Sequence, residues 1–326
     1  MTPPLDSVAI LFPGALGDFL CLLPTLRGLR DRHGGTLLLV ATPTLLDLIE
    51  MPALTTASID RREIADLFVV GSEVAPTTRS LLGGFDRVYS WTGFGNAEFL
   101  RRLSVASGGR VEVYRFRGMH PGEHAVDYYA RCAGVATMAA RVEDIRRDEE
   151  WFAAFKRRHQ LTQQHLFVLH PGSGSPRKNW RGFDEVIRSW RRHHPDAIVL
   201  VRGPAEIRGA TPHEAGLIAV EDLTLPQVAA LLHNCTLYLG NDSGISHLAG
   251  AVGATGVVLF GPSDPVAWAP RGDRLHVVRA HAPCTQCASE TFCVHRLPVA
   301  SVVRALAARL EAPGPSDLTV ASRSSR

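Results

Sequence analysis

Lysine is nearly missing from this chain: Lys156 and Lys178 stand against 33 arginines. The bias reads as genome composition, yet it makes a lysine inside a motif easy to notice. No dense basic run interleaved with aromatics occurs, which argues against a nucleic-acid partner. No apolar stretch reaches the roughly 18 residues of a membrane-crossing helix, so none is expected. The opening residues MTPPLDSVAILFPGALGDF lack the basic start and long apolar core of a secretion signal. A cytoplasmic location is therefore expected, reaching at most peripheral contact with the inner face of the cytoplasmic membrane. G-x-G-x-x-G after a strand is missing from both halves, which disfavours a dinucleotide-dependent dehydrogenase. G-x-x-x-x-G-K-[ST] is missing too, which excludes a P-loop.

What remains is an ordinary globular composition, 45% hydrophobic and 21% charged over 326 residues. That length exceeds one compact core and predicts two domains. The first half (1–150) carries a net charge of −3 and the second (151–326) +6, a balance that suits an anionic ligand in the second half. Short apolar runs alternate with helical spacing. Ser7–Phe12 and Thr36–Ala41 read as strands, as do Leu67–Val70 and Arg87–Ser90; Asp18–Arg32 and Thr44–Glu50 read as helices. The rhythm restarts after 141–150. Strands are expected at His165–His170, Ala197–Arg202, Gly216–Ala219, Thr236–Gly240 and Gly256–Phe260, with helices at Glu149–His159, Phe183–His193, Pro226–His233 and Gly244–Val252. The expected fold is α/β: two Rossmann-like domains, 1–148 and 149–312, facing each other across a cleft, with a disordered tail at 313–326.

Polar residues gather where strands end, the edge at which open α/β sheets bind ligands. In GNDSGISHLAGAVGA (240–254) a strand feeds a helix whose first amide groups and positive dipole end suit a phosphate. Gly244 permits close approach, Asp242 or Ser243 suits an N-cap, and His247 lies one turn inside. HPGSGSPRKNW (170–180) adds Ser173, Gly174 and Ser175 as small polar donors and Lys178 as a point charge for a diphosphate. GALGD (14–18) places Asp18 at the first strand–helix turn behind Gly14 and Gly17. A carboxylate there is either a helix cap or a general base.

Together, in this order and spacing, the three motifs resemble the heptosyltransferase family, glycosyltransferase family 9, over nearly all of residues 7–306. The resemblance implies the GT-B architecture. It implies inverting transfer of a heptose from a nucleotide-diphosphate sugar, ADP-heptose first, to a saccharide or glycolipid acceptor such as lipopolysaccharide core, with no cofactor required for catalysis. It implies Asp18 as base on the acceptor domain and Lys178 as neutraliser of the leaving diphosphate. Ser173, Gly174, Ser175, Asp242, Ser243, Gly244 and His247 then belong to the nucleotide-sugar site, with Asp242 on sugar hydroxyls or holding the loop. Glu206 in RGPAE resembles the family's ribose-binding acid or is a surface residue. Where many relatives carry a cation before the GxxGD turn, this chain has Phe12 and Pro13, which weakens the expectation of a heavily phosphorylated acceptor. A UDP- or GDP-sugar donor, or a binding protein without turnover, are the alternatives.

HAPCTQCASETFCVH (281–295) holds one C-x-x-C and no second. Cys284, Cys287 and Cys293 with His281 or His295 suit a structural zinc or iron, reduced thiols, or a disulfide. The cluster lies outside the cleft motifs and no catalytic role is expected of it.

Overall fold

The structure, a computed structural model, describes residues 7–71, 73–138, 141–161, 165–203, 217–280, 283–284 and 289–311. Chain order in the first half is β1 (Val8–Leu11), α1 (Leu16–His33), β2 (Leu37–Ala41), α2 (Pro43–Leu46), β3 (Leu54–Ser58), α3 (Arg62–Asp66), α4 (Pro76–Leu82), β4 (Arg87–Ser90), α5 (Ala97–Ser107), β5 (Arg110–Val113) and α6 (Ala125–Cys132). The second half runs α7 (Glu149–Arg158), β6 (Leu166–His170), α8 (Phe183–Arg191), β7 (Ala197–Val201), β8 (Ile218–Val220), α9 (Leu225–His233), β9 (Leu237–Asn241) and α10 (Gly244–Ala251). It continues with β10 (Gly256–Phe260), α11 (Pro265–Trp268), β11 (Leu275–Arg279), the β12 (Pro283–Cys284) and β13 (Ser289–Phe292) hairpin, and α12 (Val299–Glu311).

Two parallel sheets result, in orders β3-β2-β1-β4-β5 and β11-β10-β9-β6-β7-β8. Parallel strands need crossover helices on both faces, so β1, β2, β6, β9 and β10 are buried throughout and read as continuous apolar runs. Strand order reverses direction beside β1 in the first sheet and between β6 and β9 in the second. Those two switch points open crevices at the carboxyl ends of the strands.

One core joins the halves. It runs from Phe19, Leu22 and Leu26 of α1 through Tyr129 of α6 to Leu248 and Ala249 of α10. Separate cores fill the outer face of the first sheet, under α5, and of the second, under α8 and α12. At the mutual approach of α1 and α10, a Cβ on Gly244 would lie 2.9 Å from Leu16 Cβ and 3.1 Å from the Gly17 amide nitrogen. Only glycine fits there.

The expected strand at Leu67–Val70 is a turn after α3. Leu67 is buried, but Phe68, Val69 and Val70 face outward. Arg102 Nε donates to the Asp66 carbonyl at 2.8 Å, and Arg102 also pairs with the Asp66 carboxylate at 2.7 Å, so the chain reverses under a buried guanidinium. The strand that completes this side of the sheet is Leu54–Ser58, paired with β2. At 216–219 the strand is Ile218–Val220; Gly216 and the 313–326 tail lie outside the described residues.

The connection between the halves is stapled to the first one. Ile49 and Ile145 form an isolated bridge, and Arg146 N donates to Leu48 O at 2.8 Å. Buried Asp144 takes both Nε (3.1 Å) and Nη2 of Arg27 from α1. Removing one member of a buried pair strands the other. Asp144→Ala is predicted to cost about 3 kcal/mol, read as a lower urea midpoint at unchanged slope, while exposed Glu143→Ala leaves the midpoint in place.

Candidate functional site

An aromatic cluster sets the cavity-side loops of the first half. The ring of Phe12, just past β1, lies 6.0 Å from Trp91 (after β4), 5.8 Å from Phe116 (after β5) and 5.4 Å from Tyr129 on α6. Gly14 makes room for it, since a Cβ there would sit 2.4 Å from the Phe12 ring and 2.9 Å from Asp18 Cβ. Neither Gly14 nor Gly17 has a positive φ; both serve by being small. Asp18 falls in the first turn of α1, whose N-cap is Ala15, so it is not the cap. Its carboxylate takes Arg117 Nε at 3.1 Å and Nη2 at 2.9 Å. Arg117 also stacks 5.1 Å from the Trp268 ring, reaching across to the second half.

On the other side, loops after β6 and β9 are tied together by Asn241. Its Nδ2 donates to Pro171 O at 2.6 Å and its Oδ1 accepts from Trp180 N at 3.2 Å. Lys178 ends a 3-10 turn at Pro176–Lys178 and donates to Asp242 Oδ2 at 2.7 Å. Ser243 is the N-cap of α10, its Oγ accepting from Ser246 N. Asp242 is thereby left to hold the lysine.

These groups converge. Gly17, Asp18, Arg117, Gly174, Lys178, Asp242, Ser243, Gly244, His247, Asp264 and Trp268 line a single cavity of about 380 Å³ between the two switch points. A cavity of this size suits a small ligand, and the α10 N-terminus opens into it with amides that have no partner within the helix. His247 is buried on the fourth position of α10, its Nδ1 3.7 Å from Cys21 Sγ. Burial holds its pKa well below the ordinary histidine value, so it is neutral at pH 7 and has one N–H to donate. Burial also pushes the Cys21 thiol up, which keeps it protonated.

Not all expected residues arrive. Ser173 turns onto its own loop, within hydrogen-bond distance of Asn179 Oδ1 (2.6 Å) and the Ser175 carbonyl (2.7 Å). Ser175 is the residue before the 3-10 turn. Neither lines the cavity, where Gly174 and Lys178 represent the loop. Glu206 lies outside the described residues. Arg117, Ser263, Asp264 and Trp268 line the cavity without having been anticipated. Asp264 followed by Pro265 is a helix-start signature legible in the sequence, and it forms one: Asp264 Oδ1 accepts from Val266 N at 3.1 Å.

Of the cysteine cluster, His281 and Cys287 lie outside the described residues, and Cys284 is placed only as part of β12. Cys293 is buried, and His295 Nδ1 is buried without a hydrogen-bond partner. Among the described residues no three His, Cys, Asp or Glu side chains converge as a metal site.

Buried His170, at the end of β6 with Nδ1 3.4 Å from Ser243 Oγ, is pushed down to about 4 by desolvation. Its unfolded value is 6.5, so the unfolded chain takes up a proton that the fold refuses. Stability attributable to it is complete above pH 6.5 and falls away as pH drops from there toward 4. His247 acts in the same direction. Melting temperatures taken from pH 8 to 4 are predicted to decline through this window, and His170→Gln to flatten the decline by at most about 1.4 kcal/mol per pH unit.

With this geometry in place, likeness to known proteins is informative. The family model for glycosyltransferase family 9 (heptosyltransferase) matches residues 117–296. Lipooligosaccharide heptosyltransferase 2 of Haemophilus influenzae is 35% identical over 77 residues, covering 23% of this chain and 22% of that protein, so the match spans about a fifth of the curated relative. Among solved structures, a family 9 glycosyl transferase from Veillonella parvula superposes with a TM-score of 0.72 at 21% identity, covering 94% of this chain and 98% of that one. Escherichia coli ADP-heptose LPS heptosyltransferase II gives 0.69 at 18%, with the same coverage. The dodecameric iron-containing heptosyltransferase TibC of enterotoxigenic E. coli, in complex with ADP-D-β-D-heptose, gives 0.61 at 15%, covering 94% of this chain and 77% of that one. The two facing parallel sheets are the GT-B-like fold of these enzymes, and the chain belongs to glycosyltransferase family 9, the heptosyltransferase family.

Proposed function

We propose that this glycosyltransferase moves a heptose from ADP-heptose to a hydroxyl of a saccharide acceptor such as lipopolysaccharide core, with inversion. One observation carries the reading: Asp18 of the first half and Lys178 with the α10 N-terminus of the second line the same cavity. The family membership and the ADP-sugar complex of a structural neighbour support it.

The chemistry follows from those positions. The acceptor O–H gives its proton to Asp18 as its oxygen attacks the anomeric carbon. That carbon–oxygen bond forms while the bond to the diphosphate oxygen breaks, and the electron pair leaves on the diphosphate. Inversion requires the acceptor held by Asp18 to meet the anomeric carbon on the face away from the diphosphate. Lys178 and the free amides of α10 meet charge that grows during the step, so they favour the transition state over the bound donor. Asp242 positions Lys178, and Arg117 positions Asp18. Gly174, Ser243 and neutral His247 supply donors around the phosphates.

The cysteine cluster is a separate, structural site for iron or zinc. The His295 imidazole nitrogen that is buried without a partner, two positions from buried Cys293 in sequence, suits a metal ligand set, and one structural neighbour is iron-containing. The metal would staple the 283–295 segment, and no step of the transfer runs through it.

Calorimetry is predicted to rank ADP above UDP and GDP by at least about tenfold. Asp18→Asn is predicted to lower kcat by about 10²–10⁴ with ADP affinity held within about twofold, whereas Lys178→Ala weakens both. Equal binding of the three nucleotides would sink the donor assignment, and an Asp18→Asn enzyme of full rate would sink the base. Elemental analysis is predicted to find about one iron or zinc per chain, reduced by the Cys284→Ser, Cys287→Ser double variant.

A further inference from the structure

Helix α1 carries a thiol that the transfer step leaves unused. Asp18 and Cys21 are three residues apart on it, so they share one side of the helix. Cys21 is 1% exposed and is not in a disulfide. Its Sγ lies 3.7 Å from Nδ1 of His247, 226 positions further along the chain on α10. The contact therefore crosses between the halves, at the same approach of helix starts that closes the cavity. An apolar side chain of similar size would fill this space as well. A thiol adds a proton, and a buried proton of this kind needs an acceptor.

Cys235 gives its thiol proton to a backbone carbonyl, that of Leu232 at 3.1 Å. Among the described residues Cys21 finds no such carbonyl, and its Sγ meets the imidazole alone. Burial and the negative charge of Asp18 keep the thiol protonated, and burial keeps the ring neutral. One proton on sulfur and one on the ring leave two arrangements. In the first, S–H donates to Nδ1 and the ring proton sits on Nε2. In the second, Nδ1–H points at sulfur, a weak acceptor, while the thiol proton has no acceptor and Nε2 turns a lone pair outward. Nε2 lies on the ring edge toward Gly17, where a Cβ would fall 3.3 Å from Cδ2 and 3.7 Å from Nε2. Gly17 and His247 both line the cavity, together with the carboxylates of Asp18 and Asp242. A lone pair turned that way meets other acceptors, whereas an N–H meets partners. The first arrangement satisfies every group.

We propose that Cys21 is a positioning residue: its S–H donates to His247 Nδ1, so that Nε2 carries the ring proton and offers it to the diphosphate of the donor. The hydrogen bond made by one imidazole nitrogen decides the state of the other. Here that bond comes from the opposite half, so the phosphate-facing donor of α10 is oriented by the helix that carries Asp18. The proposal rests on the cavity taking a nucleotide-diphosphate sugar, and it names what sets one donor of that site.

Long-range proton–nitrogen NMR of the ligand-free full chain, with 15N-labelled histidine and the His247 signals assigned by their loss in His247→Ala, reads the tautomer directly. Nε2 is expected to be protonated and Nδ1 bare but hydrogen-bonded. Cys21→Ala is expected to move the Nδ1 resonance downfield, toward that of a free nitrogen, and Cys21→Ser to hold it. Calorimetry with ADP then tests the consequence. Cys21→Ala is expected to weaken ADP about three- to tenfold, the worth of one hydrogen bond, with Cys21→Ser restoring most of the loss. On a His247→Ala background the same Cys21→Ala change is expected to have no effect, because a residue that acts through another loses its influence when that other is gone. A proton on Nδ1, an Nδ1 resonance that ignores Cys21→Ala, or equal weakening of ADP in both backgrounds overturns the assignment. A chain that ignores ADP yet shows the Cys21-dependent Nδ1 resonance refutes the donor reading and keeps the hydrogen bond and its tautomer.

Discussion

Everything at this site depends on how closely two helix starts approach. Gly17 in α1 and Gly244 in α10 let main chain lie against main chain, with a Cβ at Gly17 falling 3.3 Å from the His247 ring and one at Gly244 within 3.1 Å of the Gly17 nitrogen. Each parallel sheet builds a crevice at its own switch point, but two crevices on separate bodies are only two half-sites. The small residues convert them into one cavity by removing the side chains that would hold the halves apart. A shared apolar core through α1, α6 and α10 then fixes the approach. Packing of this density transmits small displacements, because interiors are stiff. An added methyl at Gly244 thus acts on the α1 start that carries Asp18 as much as on the α10 N-terminus.

The sequence made the fold readable where burial on both faces left continuous apolar strands, as in β1, β2, β6, β9 and β10. It misled where only one side of a strand is covered. Leu54–Ser58 sits at a sheet edge with Thr55 and Thr56 outward, so its apolar signal is diluted. Leu67–Val70 is apolar because Leu67 plugs the core and Phe68 packs on Phe99 at 4.7 Å, with no strand involved. Local pattern cannot tell these apart, since the deciding contact, Arg102 on the Asp66 carbonyl, spans 36 residues.

The site divides along the same line. Asp18, Gly174, Lys178, Asp242, Ser243, Gly244 and His247 stand in motifs whose spacing follows from one strand–turn–helix unit, and a unit can be read locally. Arg117 comes from a loop and Trp268 from the end of the one-turn helix α11; no motif links the two, and they meet only because the halves face across the cavity. Ser173 shows the opposite error. Gly/Ser loops offer hydroxyls to phosphates and to their own backbone equally well, and here the loop's own Asn179 wins.

Charge fixes which parts of the cavity move. Asp18, Asp242 and Asp264 against Arg117 and Lys178 leave the lining side chains formally one negative charge, with His247 neutral. A diphosphate cannot enter such a lining by simple attraction. The α10 N-terminus offers the equivalent of about half a positive charge, which does not reverse the sign. Redistribution is required, and exposure says of what: the Asp18 and Asp242 side chains are 4% and 6% exposed, whereas Arg117 and Lys178 are 56% and 32%. The acids are held by the fold and the cations are on long, partly solvated stems. On the proposed reading, a bound diphosphate competes with Asp242 for Lys178, whose long, partly solvated stem lets it turn at little backbone cost. On the same reading, Arg117 must release one Asp18 oxygen before that oxygen can take a proton from a hydroxyl. The pairing that keeps the buried acids from standing alone would then also tie the availability of Asp18 as a base to what displaces Arg117.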